Sequence, residues 1–245
     1  MTYTFIADFR KLDINLALKE QENLKAQGVG VCQYGASGAI RLSDEVMARI
    51  LSTKSERLKR ERMAAYLLAT EAAKKIIGLE PEFIWVENKK PCLKDSQYSI
   101  SISHSSDIVA FSIRDELNIG VDIEARALPD RAKRLDKRYF SEIDFNYMDL
   151  KVSYSFSEIS GKGTLSFGEI TDTNSRVSDD IFVFKAKYNE DFTCKWCLYE
   201  ASIKCGKGFY FNESQNKTLL LSIRSDVKKI KVRENTYYIA TVVSK

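Results

Sequence analysis

A chain of 245 residues, 44% hydrophobic and 29% charged with 11 Gly and 3 Pro, can bury a sizeable core, which excludes a disordered or fibrous protein. The balance of 38 Lys and Arg against 34 Asp and Glu leaves a net charge of +4, too small to indicate nucleic acid by itself. Five cysteines in a chain too long to need stapling, no leader-like N-terminus and no apolar run near the roughly 20 residues that span a bilayer together predict a cytoplasmic protein with no membrane partner.

Residues 3–9 read as a strand and residues 43–77 as helix, with a weak point near Ser52 and an apolar stripe of Leu58, Ala65, Leu68, Ala72 and Ile76. Gly78 closes this helix as a C-cap would. Lys54–Arg62 sets five cations against two acids, which reads either as a solvated helix face or as an anion site. Residues 83–87 follow as a strand, and Tyr98-Ser-Ile-Ser-Ile-Ser103 alternates polar and apolar as a half-buried strand should. Residues 108–114 and 117–124 continue the sheet, and the turn between them is short enough for a hairpin. Helix is expected near 129–149, short strands and loops over 151–188, helix over 192–206, and strands at 219–223, 230–233 and 237–243. The class is therefore α+β with mainly antiparallel sheet, in one large domain or two of about 100–120 residues.

Gly120-Val-Asp122-Ile-Glu124 sends two carboxylates from one strand face while Val121 and Ile123 turn inward. That is a metal-ready arrangement, since magnesium favours one or two carboxylates together with phosphate oxygens, but any amphipathic strand alternates in the same way. Glu200 and Lys204 lie one helical turn apart, as a surface ion pair or as a carboxylate and an ammonium with chemical roles. His104, the single histidine, excludes most histidine-based zinc sites and otherwise reads as a polar residue at a strand end. Cys194-Lys-Trp-Cys197 has no second CxxC to complete a zinc site, and no Gly-x-Ser-x-Gly elbow supports a serine hydrolase.

Taken in order, Lys90-Pro91, Ile102-Ser103-His104-Ser105, Gly120-Val-Asp122-Ile-Glu124, Arg138-Tyr-Phe140-Ser-Glu142 and Trp196-x-x-x-Glu200-Ala-x-x-Lys204-x-x-Lys-Gly208 resemble the Sfp-type 4′-phosphopantetheinyl transferases. The likeness runs from about residue 50 to residue 211 and is convincing only in the motifs. It implies a fold of two similar α/β halves related by a pseudo-twofold axis, here 1–110 and 111–245, with coenzyme A between them. It also implies transfer of the phosphopantetheine arm of coenzyme A to a serine of an apo acyl or peptidyl carrier protein, with release of 3′,5′-ADP. By the same resemblance Asp122, Glu124 and Glu200 are the ligands of magnesium, or of manganese in its place. Glu200 is the base for the carrier serine, Lys204 meets the phosphate, and Asp122 belongs to the catalytic set. His104 would hold the 3′-phosphate, with Ser103, Lys90 and Pro91 around the adenosine and some of Arg57, Lys59, Arg60 and Arg62 joining that phosphate.

A monomer that binds no nucleic acid is expected. Three features depart from the family pattern: Tyr199 in place of lysine, Lys89 in place of glycine, and a long 145–191 segment suited either to docking a carrier or to covering the site. A coenzyme A or nucleotide-binding module without catalysis, or a magnesium-dependent phosphohydrolase, would use the same residues.

Overall fold

The computed structural model describes residues 1–85, 90–127, 130, 132–134, 147–170, 174–178, 181–187, 191–206, 210–212, 217–219 and 223–244. Strand β1 (Thr2–Asp8) is followed by three helices, α1 (Ile14–Ala26), α2 (Asp44–Leu51) and α3 (Glu56–Ile77). The expected weak point is the real break between α2 and α3: Ser43 and Ser55 cap the two helices by accepting hydrogen bonds from Val46 N and Leu58 N. Gly78 ends α3 at φ +74°, the left-handed conformation in which a side chain is strained.

A small hairpin, β2 (Phe83–Trp85) with β3 (Pro91–Leu93), leads to β4 (Tyr98–Ser105), β5 (Ile108–Asp115) and β6 (Asn118–Ala125). The chain continues through β7 (Tyr147–Asp149), β8 (Val152–Glu158), β9 (Gly168–Ile170), β10 (Asn174–Ser178) and β11 (Ile181–Lys185). Helix α4 (Phe192–Lys204), a short hairpin β12 (Tyr210–Asn212) with β13 (Lys217–Leu219), and the long hairpin β14 (Ile223–Val232) with β15 (Asn235–Ser244) complete it. The helix expected near 129–149 is corrected at its end: residues 147–149 form β7, which pairs parallel with β14. The Arg138–Glu142 motif, Lys89, Lys207 and Gly208 lie outside the described residues.

Two sheets dominate the α+β fold. The first has the order β4-β5-β1-β8-β9 and the second the order β10-β11-β14-β15-β6, and apart from the parallel pairs β1–β8 and β7–β14 the neighbours are antiparallel. The hairpin expected between residues 108–114 and 117–124 does not form. Strand β5 already has β4 on one edge and β1 on the other, so β6 crosses to the second sheet and pairs with β15. A division at 110/111 would cut β5 in half; the change of sheet falls at Glu116–Leu117, where Glu116 takes φ +60°. Strands β8 and β9 then return to the first sheet, so the long 145–191 segment, where described, widens both sheets by their edges.

Burial explains the layering. Val109, Phe111 and Ile113 of β5 pack with Leu67, Leu68 and Ala72 of α3, while Ile108 and Ala110 face Val121, Ile123, Ile239 and Ile230 of the second sheet. Tyr238, Ala240 and Val242 of β15 and Val227 of β14 meet Cys194, Cys197, Leu198 and Ala201 of α4 on the far face. The order of layers is helix, sheet, sheet, helix, which buries each sheet on both sides. Among the described residues no helix is long and apolar enough to cross a membrane.

The space between the sheets also holds a polar network. Thr4 shares hydrogen bonds with Ser112 (2.7 Å) and Thr241 (3.1 Å), the Tyr154 hydroxyl donates to Asp226 Oδ2 (2.7 Å), and Lys228 Nζ donates to Asp226 Oδ1 (3.1 Å). Asp226 and Lys228 are each only 7% exposed. Removing one partner of such a pair strands the other charge, which costs about 3–5 kcal/mol, whereas an apolar pair of similar volume is close to neutral. Lys228→Met is therefore expected to lower the unfolding free energy by about 3 kcal/mol in urea titrations, and Asp226→Leu/Lys228→Met to recover most of it.

Candidate active site

The site is assembled where α4 crosses β6. Gly120, Asp122 and Glu124 alternate onto the β6 face opposite to Val121 and Ile123, and pair with Val242, Ala240 and Tyr238 of β15. Helix α4 lies on that face so closely that a Cβ on Gly120 would stand 1.9 Å from Ala201 O and 2.7 Å from Cys205 N. Glycine is required here by the approach of a helix backbone, not by its own dihedral angles. Asp191 caps the start of α4 by accepting from Cys194 N at 3.0 Å, and it also accepts from the Tyr238 hydroxyl (2.8 Å) and from Arg126 Nε (3.1 Å). The helix is thus held to β15 at one end and to β6 at the other.

This placement brings Glu200 and Lys204 over the two acids of β6. Lys204 Nζ donates to Asp122 Oδ1 at 2.7 Å and to Ser103 Oγ at 3.0 Å, and Ser103 Oγ donates to the same Oδ1 at 2.8 Å. Asp122 is 3% exposed, and its second oxygen, Oδ2, is buried without a hydrogen-bond partner. A buried carboxylate oxygen left unsatisfied is costly unless a cation or donor completes it. Burial, then the Asp122 charge, push Glu124 above the usual carboxylate range, with Glu200 adding to the shift and Ser105 and Lys204 opposing it. Burial, then Asp122, raise Glu200 too, against Lys204. Three acids therefore share one field that the Lys204 ammonium offsets.

Asp122 Oδ2 and the two raised glutamates fit a divalent cation in charge and donor type, since hard oxygen ligands suit magnesium or manganese. Among the described residues, no three acid, histidine or cysteine side chains are already drawn together as a ligand set. Lys204 and Ser103 donate to Asp122 Oδ1.

The second group of expected residues gathers on α3. Glu61, 3% exposed, accepts from Arg57 Nε at 2.9 Å and stands 3.7 Å from His104 Nδ1 through its other oxygen. Arg60, on the same helix face, donates to Asp107 Oδ1 at 2.6 Å in the turn after β4. Arg57, Arg60 and His104 are thereby brought to one edge. Lys59 and Arg62 turn away, Lys59 to Glu56 (2.8 Å) and Arg62 to Thr53 Oγ1 (2.7 Å) and Arg49 O (3.1 Å). Lys90 Nζ donates to Lys204 O at 3.1 Å, at the C-terminal end of α4, and Pro91 opens β3 opposite Trp85.

Several contributors are absent from the sequence expectations. Gly120 has its role only once α4 is in place. Cys197, fully buried, donates its thiol to Asp122 O (3.0 Å) and Tyr238 O (3.2 Å), and burial with the neighbouring Asp122 raises its pKa well above normal. Cys194 donates to Lys187 O (3.2 Å), so the CxxC is a pair of packed thiols. Ser105, which donates to Glu124 Oε2 at 3.2 Å, was legible only as part of the polar face of an alternating strand, and Glu61 only as one acid in a basic run.

Folding raises the pKa of Glu124 and Glu200, so the folded chain binds protons more tightly than the unfolded one, and the acids cost stability as pH rises through their range. Glu124→Gln is expected to raise the melting temperature of the cation-free protein at neutral pH. The gain should shrink as pH falls toward the ordinary glutamate value of 4.5 and be gone below it. Gly120→Ala should instead lower the melting temperature in thermal denaturation, because α4 must lift away from β6. Against known proteins, no family model matches the chain and no curated protein does.

Proposed function

We propose that the chain is a magnesium-dependent 4′-phosphopantetheinyl transferase of the Sfp type, moving the arm of coenzyme A to a serine of an apo carrier protein. One observation carries the reading: acids from two distant segments, Asp122 and Glu124 on β6 and Glu200 on α4, share one field beside Lys204, with Asp122 Oδ2 unpartnered. The strand orders support two similar halves. The order β4-β5-β1 recurs as β14-β15-β6, all antiparallel, with α3 in sequence between β1 and β4 and α4 between β6 and β14. His104 and Arg57 lie in the first half and the acid cluster in the second, which suits a coenzyme lying across their junction.

The reaction joins the carrier serine Oγ to the β-phosphorus of coenzyme A and breaks the phosphoanhydride bond, so that 3′,5′-ADP departs. A divalent cation held by Asp122, Glu124 and Glu200 would supply charge neutralisation at the diphosphate. Glu200, with its affinity for protons raised by burial, takes the serine proton. Lys204 exchanges its contact with Asp122 for phosphate and the leaving oxygen, where an ammonium stabilises negative charge as it develops. Arg57 and His104, braced by Glu61, hold the 3′-phosphate remote from the chemistry.

Incubation with coenzyme A, Mg2+ and a panel of apo-carrier proteins, each then weighed by mass spectrometry, should give at least one carrier bearing the arm and an equal amount of 3′,5′-ADP. Asp122→Ala and Glu200→Ala should each cost about 100-fold or more in kcat/KM. Modification that survives either substitution would defeat the assignment. Release of 3′,5′-ADP without a carrier would make the chain a phosphohydrolase, and tight coenzyme binding with neither product a binding module. His104→Ala should raise KM for coenzyme A about 10-fold with kcat little changed, because a remote contact contributes equally to ground and transition states.

A further inference from the structure

Strands β4 and β6 are the outer strands of two different sheets, and they face each other without a backbone ladder. A comb of serines joins them. Ser101 Oγ accepts from Val121 N (3.0 Å), Ser103 Oγ from Ile123 N (3.4 Å) and Ser105 Oγ from Ala125 N (3.0 Å). Those amide groups point away from β15, the strand paired along β6 among the described residues, and would otherwise be unsatisfied in the interior. Two teeth of the comb make a second contact. Ser103 Oγ donates to Asp122 Oδ1 (2.8 Å) and Ser105 Oγ donates to Glu124 Oε2 (3.2 Å), whereas Ser101 has no carboxylate to hold.

We propose that Ser103 and Ser105 are positioning residues for the acid cluster: each hydroxyl fixes one carboxylate of β6 on the side facing α4, ready for a divalent cation. The inference rests on the cation-site reading given above. Each hydroxyl is itself anchored by a backbone amide, so it restrains the carboxylate as a rigid second layer rather than as a freely turning side chain. Loss of such a layer weakens metal sites by about 10- to 100-fold. The strand also explains why His104 is not part of this layer: it leaves β4 between Ser103 and Ser105 toward Glu61 of α3.

The test compares Ser101→Ala, Ser105→Ala and Ser105→Thr in the full chain, reading Mn2+ affinity by titration calorimetry and melting temperature together. Ser105→Ala should weaken Mn2+ by about 10-fold or more, and Ser105→Thr, which restores a hydroxyl, should recover it. Ser101→Ala removes a tooth of the comb without touching a carboxylate, so it should lower the melting temperature and leave Mn2+ affinity within about twofold of wild type. Equal weakening by Ser101→Ala and Ser105→Ala would make the comb purely structural and overturn the proposal, as would unchanged affinity in Ser105→Ala. Wild-type protein that takes up no Mn2+ would overturn the cation-site reading and the proposal with it, a result distinct from the other two.

Discussion

The close contact between α4 and β6 is the constraint on which the site depends. A helix backbone can lie against a strand at this distance only where the strand has no side chain, and Gly120 provides that gap beside Ala201 and Cys205. From this fixed point the spacing along each element does the rest. Two and four residues along β6 bring Asp122 and Glu124 to the same face, and the facing turns of α4 carry Glu200 and Lys204. Cys197 adds a thiol bond to the carbonyl of Asp122, so the strand is held from beneath as well as from the side.

Electrostatically the assembly is unbalanced in a useful direction. Three acids and Lys204 sit in a partly buried corner, where burial and the Asp122 charge raise the proton affinity of Glu124 and Glu200 while Lys204 lowers it. Such an arrangement costs folding stability, a cost that a cation at the acids would relieve. Lys204 serves as a built-in counter-ion on Asp122 Oδ1.

The two sheets are joined by polar chemistry at both ends of their contact. Serines of β4 bridge to the amides of β6, and Thr4, Thr241, Tyr154, Asp226 and Lys228 form the network farther along. Hydrogen bonds of this kind require one register, because a slip of one residue would turn every serine away from its amide. The apolar side chains between the sheets supply most of the burial, and the polar bridges set the alignment of the corner that holds the acids.

Most of the elements were legible in the sequence because they follow from local periodicity: α3 with its Gly78 cap, the alternating β4, the strand of Asp122 and Glu124, and α4 are all near where residue spacing puts them. The chemical content of the site was legible too, since carboxylates two apart on a strand and a Glu-Lys pair one turn apart are local facts. Partners were not. Strand β5 is apolar on both faces and could have paired with its neighbour in sequence; competition from β1 and β4 for its edges sends β6 to the other sheet. Likewise Lys54–Arg62 looked like one basic patch, but helix geometry pairs Arg57 with Glu61, whose other oxygen faces His104, and Arg60 with Asp107, and turns Lys59 and Arg62 away. Residue types and their spacing are written along the chain, so the sequence by itself determined α2, α3 and α4, most strands and the candidate acids, though not α1; which strand edges meet, why residue 120 must be glycine, and which hydroxyl holds which carboxylate depend on contacts between distant segments, and only the tertiary structure decided them.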